Sequence, residues 1–231
     1  MMNHKDQEES KKRVGCAAAD LVQNGMLVGL GTGSTVFHFI HRLTERIKEG
    51  LTIAVASSSI ASENQAKKGR IPLANMDTLI ALDLMVDGAD EINKKKEMIK
   101  GGGGALLREK ILATISKKMV VIVDESKVVE KLGAHPLPVE ILPFAQHAII
   151  EKIRSCGFEG TLRTIDNQKK LFKTDNGNLI YDICFNCLRE DPQKDHATLI
   201  SIPGVVETGF FFNPVQQVLI GKKNGSLQRW S

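Results

Sequence analysis

Aromatic rings and cysteines are scarce in this chain. Its 231 residues hold nine Phe, one Tyr and one Trp, too few platforms for a protein that stacks bases. Lys and Arg number 31 against 27 Asp and Glu, and the net charge of +4 is spread along the chain, so no basic stripe marks a nucleic-acid footprint. No apolar run approaches the roughly 18–20 residues of a membrane span, and residues 1–12 are polar and charged, with no signal-peptide core. These features lead us to expect a soluble, cytoplasmic protein with neither nucleic acid nor membrane as partner. In a chain of this length Cys16, Cys156, Cys184 and Cys187 read as reduced thiols rather than a disulfide framework. Cys184 and Cys187 form a C-x-x-C, but no second such pair or nearby His pair completes a zinc site. Both are expected to be buried or half-buried in a strand.

What is present is the material of a real core. Hydrophobic residues make up 42% and charged residues 25%, and the length suits one large domain or one and a half at roughly 150 residues each. Val14, Ala17, Ala18, Leu21 and Val22 recur at helical spacing until Asn24-Gly25. Short apolar runs at 26–30, 51–56, 82–86 and 119–123 predict buried strands. Between them lie helical patterns from Val36 to Gly50, from 57–59 to Gly69, and over 105–117, with Ser34 or Thr35 as the N-cap of the first. Strands alternating with helices of this length indicate βαβ units and a parallel sheet.

After Pro136 the pattern changes. Strands are expected at 137–142, 160–165, 178–185 and 205–211, with helices at 144–156 and 191–200 and a turn-rich stretch carrying Asp175-Asn176-Gly177. The order β-α-β-β-α-β is that of a ferredoxin-like split unit. The expected fold is therefore α/β: a Rossmann-like parallel-sheet domain (1–133 with 212–231) and a smaller inserted ferredoxin-like α+β domain (134–211). Residues 218–221 would return the chain to the first domain, and 222–225 would turn a closing hairpin.

Three motifs lie where a parallel sheet builds its site, just past the carboxyl ends of strands. In Gly29-Leu30-Gly31-Thr32-Gly33-Ser34-Thr35 the glycines allow a tight turn. The following helix then aims free N–H groups and a positive dipole end at the loop. That is a phosphate cradle in character, though a strand-to-helix turn that binds nothing looks the same. It is not a Walker loop, having no Lys before Ser34, and it is a poor dinucleotide fingerprint, having no third Gly and no acid after the next strand.

The second motif, Val86-Asp87-Gly88-Ala89-Asp90-Glu91, sets three carboxylates at the end of an apolar strand. Gly88 and Ala89 let the backbone come close to a ligand. Crowded carboxylates repel, which raises at least one pKa and suits proton transfer. A solvated acidic turn and a metal site are the alternatives, the latter lacking an accompanying His or further carboxylate. The third motif is Lys100, the glycines 101–104, and Ala105-Leu106-Leu107-Arg108-Glu109-Lys110. Four glycines are entropically costly, so a backbone lining a small polar ligand is a better account than a linker. Lys100 and Glu109 can both face that loop, although a helical Glu is ordinarily just solvated. Lys94-Lys95-Lys96 reads as an exposed loop. Lys127 follows the 119–123 strand onto the same rim, and Lys11 could reach an anion; each is a surface lysine by default. His38 and His41 read as packing or surface residues, and no G-x-S-x-G is present.

Taken together, residues 29–35, 86–92 and 100–110 resemble the ribose-5-phosphate isomerase A family. So do Pro-Leu-Pro-Val-Glu (136–140), Thr-Asp-Asn-Gly-Asn (174–178) and Ile-Pro-Gly-Val-Val (202–206), in order, from about Lys11 to Gly221. The resemblance implies interconversion of ribose 5-phosphate and ribulose 5-phosphate in the pentose phosphate pathway. It also implies that no metal or organic cofactor is used and that the enzyme is a homodimer or homotetramer. It makes Glu109 the base, with Lys100 and the N–H groups of Gly101, Gly102 and Gly103 stabilising the oxyanion. Asp87 and Asp90 would bind sugar hydroxyls, with Asp87 a candidate for opening the ring, and Gly88 and Ala89 would line the sugar. Thr32, Gly33, Ser34 and Thr35 would hold chiefly the phosphate end, helped by Lys127 and Lys11. Gly104 departs from the pattern, standing where some members have Ala, and is expected to loosen the loop slightly. The rival readings are a sugar-phosphate deaminase, which wants a catalytic His that the motifs lack, and a sugar-phosphate-sensing effector domain, which wants a DNA-binding module.

Overall fold

The computed structural model describes residues 4–165, 170–212 and 215–231. Their contacts divide them into two compact units, one drawn from Met1–Ala89, Arg108–Val128 and Asn213–Ser231, the other from Asp90–Leu107 and Val129–Phe212.

The first unit is built on a six-stranded sheet in the order Leu227–Trp230, Gln217–Gly221, Met119–Asp124, Leu84–Asp87, Leu27–Leu30, Ala54–Ser57. All neighbours are parallel except the final hairpin, in which Gln217–Gly221 pairs antiparallel with Leu227–Trp230 around a turn at 222–225. Leu84–Asp87 and Met119–Asp124 are buried at every position. Such near-continuous apolar runs are what a sheet covered on both faces requires. Val14 and Ala18 from helix His4–Ala19 and Phe39, Ile40 and Leu43 from helix Ser34–Lys48 join the strand residues in one core. The first helix stops earlier than its pattern suggests, and Arg46 donates to the carbonyls of Ala19, which also accepts from Val22 N–H, and of Val22. Along the chain the strands run outward from Leu27–Leu30 to Ala54–Ser57 and then cross back to Leu84–Asp87. The strand order reverses between Leu27–Leu30 and Leu84–Asp87, and the carboxyl ends of these strands form the crevice where open α/β sheets take their ligands.

The second unit is ferredoxin-like. Its four-stranded sheet runs Val205–Thr208, Leu137–Ile141, Leu179–Ile183, Gly160–Leu162, antiparallel throughout, with helices Gln146–Ser155 and Pro192–Ile200 in the two crossovers. Val139, Ile141, Ile150, Ile153, Tyr181, Ile183 and Leu199 meet in its core. Of the turn-rich stretch, residues 166–169 lie outside the described residues.

Three expectations need correction. Residues 90–107 and 129–133 group with the second unit, not the first, because Glu91–Ile92 and Met98–Ile99 form a hairpin that pairs with Phe210–Phe211. Lys94-Lys95-Lys96 is the turn of that hairpin. Cys184 and Cys187 are exposed: Leu179, Tyr181 and Ile183 alternate into the core, and the strand ends at Ile183, leaving Cys184 outward and Cys187 beyond it. The helix from Ser34 has Gly33 as its N-cap, at φ 119° and ψ 175°, with no side-chain cap. Ser34 and Thr35 are the first helical residues instead.

Candidate active site

In the first unit three loops converge at the strand tips. Gly31 continues the strand by donating its N–H to Val86 O at 3.0 Å. Asp87 ends the neighbouring strand fully buried, and its Oδ1 accepts from Gly88 N at 2.7 Å and Thr32 N at 3.2 Å. A Cβ on Gly31 would lie 2.0 Å from that same Oδ1, so only glycine fits. Thr32 Oγ1 lies 2.9 Å from Ser58 Oγ and 2.8 Å from Ser59 Oγ, which joins the loop after Ala54–Ser57 to the cluster. By sequence alone those serines are only the lead into a helix. Ser59 does cap that helix, through a capping box with Ser62.

Because Gly33 supplies no capping side chain, the first-turn N–H groups of Ser34, Thr35 and Val36 are left to a ligand or water. Gly33 and Ser34 are exposed, and a cavity of about 610 Å³ is lined by Gly31 to Ser34 together with Glu8 and Lys68. Lys127 is half-buried on a single turn that follows Met119–Asp124, with Asp124 Oδ1 accepting from Ser126 N at 3.0 Å. Lys11 has its ammonium on Glu8 Oε1 at 2.7 Å, while Glu8 Oε2 is 3.3 Å from His38 Nε2. The Lys11 hydrogen bond, followed by that of His38, holds the Glu8 carboxyl below its usual range despite partial burial. Glu109 sits in the first turn of helix Leu106–Thr114, where it is only 3% exposed, against the ordinary expectation for a helical Glu.

In the second unit Asp90 Oδ2 accepts from Gly102 N at 2.8 Å. Lys100 is 2% exposed, with its backbone N–H on Gly209 O at 2.8 Å and Nζ 5.3 Å from the centre of the Phe211 ring. Burying a lysine is costly, and its cationic head gains from the aromatic face. The Gly104 backbone lies at φ 78°, and a Cβ there would come within 2.4 Å of the Phe172 ring. The fourth glycine therefore fits a packed ring instead of loosening the loop. Glu91, the third carboxylate of its motif, is structural: it accepts from Gly133 N at 2.7 Å and His135 N at 2.5 Å. The three acids thus bind separate backbone donors. Among the described residues no group of three or more His, Cys, Asp or Glu is arranged to hold a metal ion.

A family model described as ribose 5-phosphate isomerase A (phosphoriboisomerase A) matches residues 53–225. The chain belongs to that family. It is 46% identical over 217 residues to the ribose-5-phosphate isomerase A of Protochlamydia amoebophila, covering 94% of this chain and 93% of that one. The solved ribose 5-phosphate isomerase A of Methanocaldococcus jannaschii superposes with a TM-score of 0.90 at 39% identity, over 97% of this chain and 99% of that one. A solved D-ribose-5-phosphate isomerase in complex with phospho-erythronic acid gives a TM-score of 0.92 at 36% identity over 100% of both chains.

Membership in the ribose-5-phosphate isomerase A family displaces the deaminase and effector-domain alternatives. The structure also gives two of the outlying family motifs a physical job. Glu140, fully buried on strand Leu137–Ile141, accepts on Oε1 from Thr174 Oγ1 at 3.0 Å, Asn176 Nδ2 at 3.1 Å and Asn178 Nδ2 at 2.8 Å. One carboxylate therefore fixes the turn at 174–178 and ties Pro-Leu-Pro-Val-Glu to Thr-Asp-Asn-Gly-Asn.

Proposed function

We propose that this chain, an aldose–ketose isomerase acting on D-ribose 5-phosphate and D-ribulose 5-phosphate, moves one proton between C2 and C1 with Glu109 as its single base. The α-proton is weakly acidic. Its removal needs a carboxylate shielded from water and donors that hold the enediolate oxygens. Glu109 takes the proton from C2 and returns it to C1 on the same face. Lys100 and the N–H groups of Gly101 and Gly103 stabilise the developing oxyanion, while the Gly102 N–H orients Asp90. Asp87 and Asp90 bind sugar hydroxyls beside Gly88 and Ala89, and Asp87 assists opening of the furanose ring. Thr32, Gly33, Ser34 and Thr35 hold the phosphate with Lys127, and Lys11 contributes charge next to its Glu8 partner. Phosphate lies away from the reacting carbons, so its binding energy orients the sugar.

The observation that carries this reading is the burial of Asp87, Lys100 and Glu109 within the family's own motifs, since ionisable groups are rarely buried without a task. We further read the enzyme as cytoplasmic, working without metal or organic cofactor and as a homodimer or homotetramer, with neither nucleic acid nor membrane as partner. No described helix is long and apolar enough to cross a membrane. Ketose formation from ribose 5-phosphate, followed in EDTA, tests the activity. Glu109→Gln is expected to lower kcat by about 10²–10⁴-fold while calorimetry still shows ribose 5-phosphate binding. Near-normal turnover in that variant rejects the assignment.

A further inference from the structure

We propose that Arg163, held by Asp182 and Phe172, is a positioning residue that aims the peptide N–H groups of the glycine loop at the reacting end of the sugar. The inference rests on the reading above, in which that loop stabilises the enediolate.

Consecutive glycines leave a backbone with more freedom than oxyanion stabilisation can tolerate, because donors must be in place before charge develops. One bond internal to the loop, Gly104 N to Gly101 O at 2.9 Å, closes a turn. Asp90 holds the Gly102 N–H, and the restraint on the carbonyl side of the loop comes from Arg163. Its Nη1 donates to Gly101 O at 3.0 Å and to Gly102 O at 2.9 Å. The other side of the guanidinium is fixed as a fork on one carboxylate, Nε to Asp182 Oδ2 at 2.8 Å and Nη2 to Asp182 Oδ1 at 2.5 Å. Its plane sits 5.7 Å from the centre of the Phe172 ring, the same ring that occupies the space beside Gly104.

Peptide planarity converts this clamp into an orientation. In a trans peptide the carbonyl of one residue points opposite to the N–H of the next. Holding the oxygens of Gly101 and Gly102 at Arg163 therefore turns the N–H groups of Gly102 and Gly103 the other way. The Gly102 N–H meets Asp90, a residue assigned to sugar hydroxyls. The Gly103 N–H has no partner among the described residues and lies on an exposed loop residue. A cationic donor on the carbonyl side also polarises the peptide, which strengthens the N–H on the far side. The planar fork of the guanidinium lets it bind Asp182 and the loop at once. A lysine at this position could not do both.

The test compares Arg163→Met, Arg163→Lys and Lys100→Met with the full-length wild type. The probes are kcat, KM for ribose 5-phosphate, and affinity for phospho-erythronic acid, whose carboxylate stands in for the enediolate oxygens. Arg163→Met is expected to lose about 10- to 100-fold in kcat with little change in KM. It should lose a similar factor in phospho-erythronic acid affinity and recover part of its kcat when ethylguanidinium is added. Arg163→Lys keeps charge and stem yet loses the fork, so it is expected to fall between Arg163→Met and wild type; it carries the test if Arg163→Met does not fold. Wild-type kcat and analogue affinity in both Arg163 variants, alongside weakened analogue binding in Lys100→Met, would overturn the role of Arg163 alone. Unchanged analogue affinity in all three variants would instead remove the loop from oxyanion stabilisation. A kcat loss that follows only the unfolded fraction in thermal melts, without ethylguanidinium rescue, would also refute the proposal.

Discussion

Gly31→Ala adds one methyl group, and its consequence follows from a single distance. The new Cβ would lie 2.0 Å from Asp87 Oδ1, 2.1 Å from Cγ and 2.7 Å from Cβ. Ordinary contact begins near 3.4 Å, so the carboxylate must retreat by about 1.4 Å. Asp87 cannot swing into solvent, being fully buried and held by Gly88 N and Thr32 N. The strain is therefore shared between the strand tips, at about 1–3 kcal/mol of stability, as for other over-packed sites. On the proposal that Asp87 binds the sugar, the larger effect falls on turnover, because moving a substrate-binding group by about 1 Å costs roughly 10²-fold. Gly33→Ala is the matched control. Nothing lies within 4 Å of its Cβ, and the cost is that of backbone at φ 119°, ψ 175°, about 1–3 kcal/mol without a clash against Asp87. Coupled ketose assays and thermal melts on the two variants separate steric from conformational damage. Wild-type kcat in a folded Gly31→Ala protein would refute the placement of Asp87 in the chemistry.

Lys127→Ala is expected to raise KM for ribose 5-phosphate with kcat largely kept, as the phosphate is remote from the reacting carbons; an equal loss of kcat at unchanged KM would place Lys127 at the chemistry instead. Glu8 gives a pH signature. Its folded pKa is lowered from 4.5, chiefly by Lys11 and then by His38. The stabilisation is thus present above about 4.5 and lost as pH falls through the lowered value. Glu8→Gln should flatten the acid side of a Tm-against-pH curve, by a small amount because the pair is partly solvated; an unchanged acid limb would remove Glu8 from the acid response.

Much of the fold was legible because it rests on local signals. Apolar runs at 26–30, 82–86 and 119–123 correspond to the observed strands within about two residues. The split β-α-β-β-α-β order likewise appears as the antiparallel four-stranded sheet. The unit boundary was not legible. Glu91–Ile92 and Met98–Ile99 are too short to carry periodicity, and their hairpin joins the second unit through Met98–Ile99, which pairs with residues more than a hundred positions away. The same limit applies to Ser58 and Ser59, which read only as the lead into a helix until Thr32 is placed against them. Arg163 carried no signal at all, since an arginine in a strand-rich segment looks like surface.

Composition, periodicity and the glycine-rich and acidic motifs by themselves determined the α/β class, the inserted ferredoxin-like unit and the residues set at strand tips, because each depends on neighbours within a few positions. Only the tertiary structure decided which of the three adjacent acids is structural, why Gly31 and Gly104 admit no side chain, and what orients the glycine loop. Those outcomes depend on distances between segments remote in the chain, such as Gly31 to Asp87, Glu91 to Gly133 and Arg163 to Gly101. Hydrogen bonding and steric exclusion act over a few ångströms of space, and no spacing along the chain encodes them.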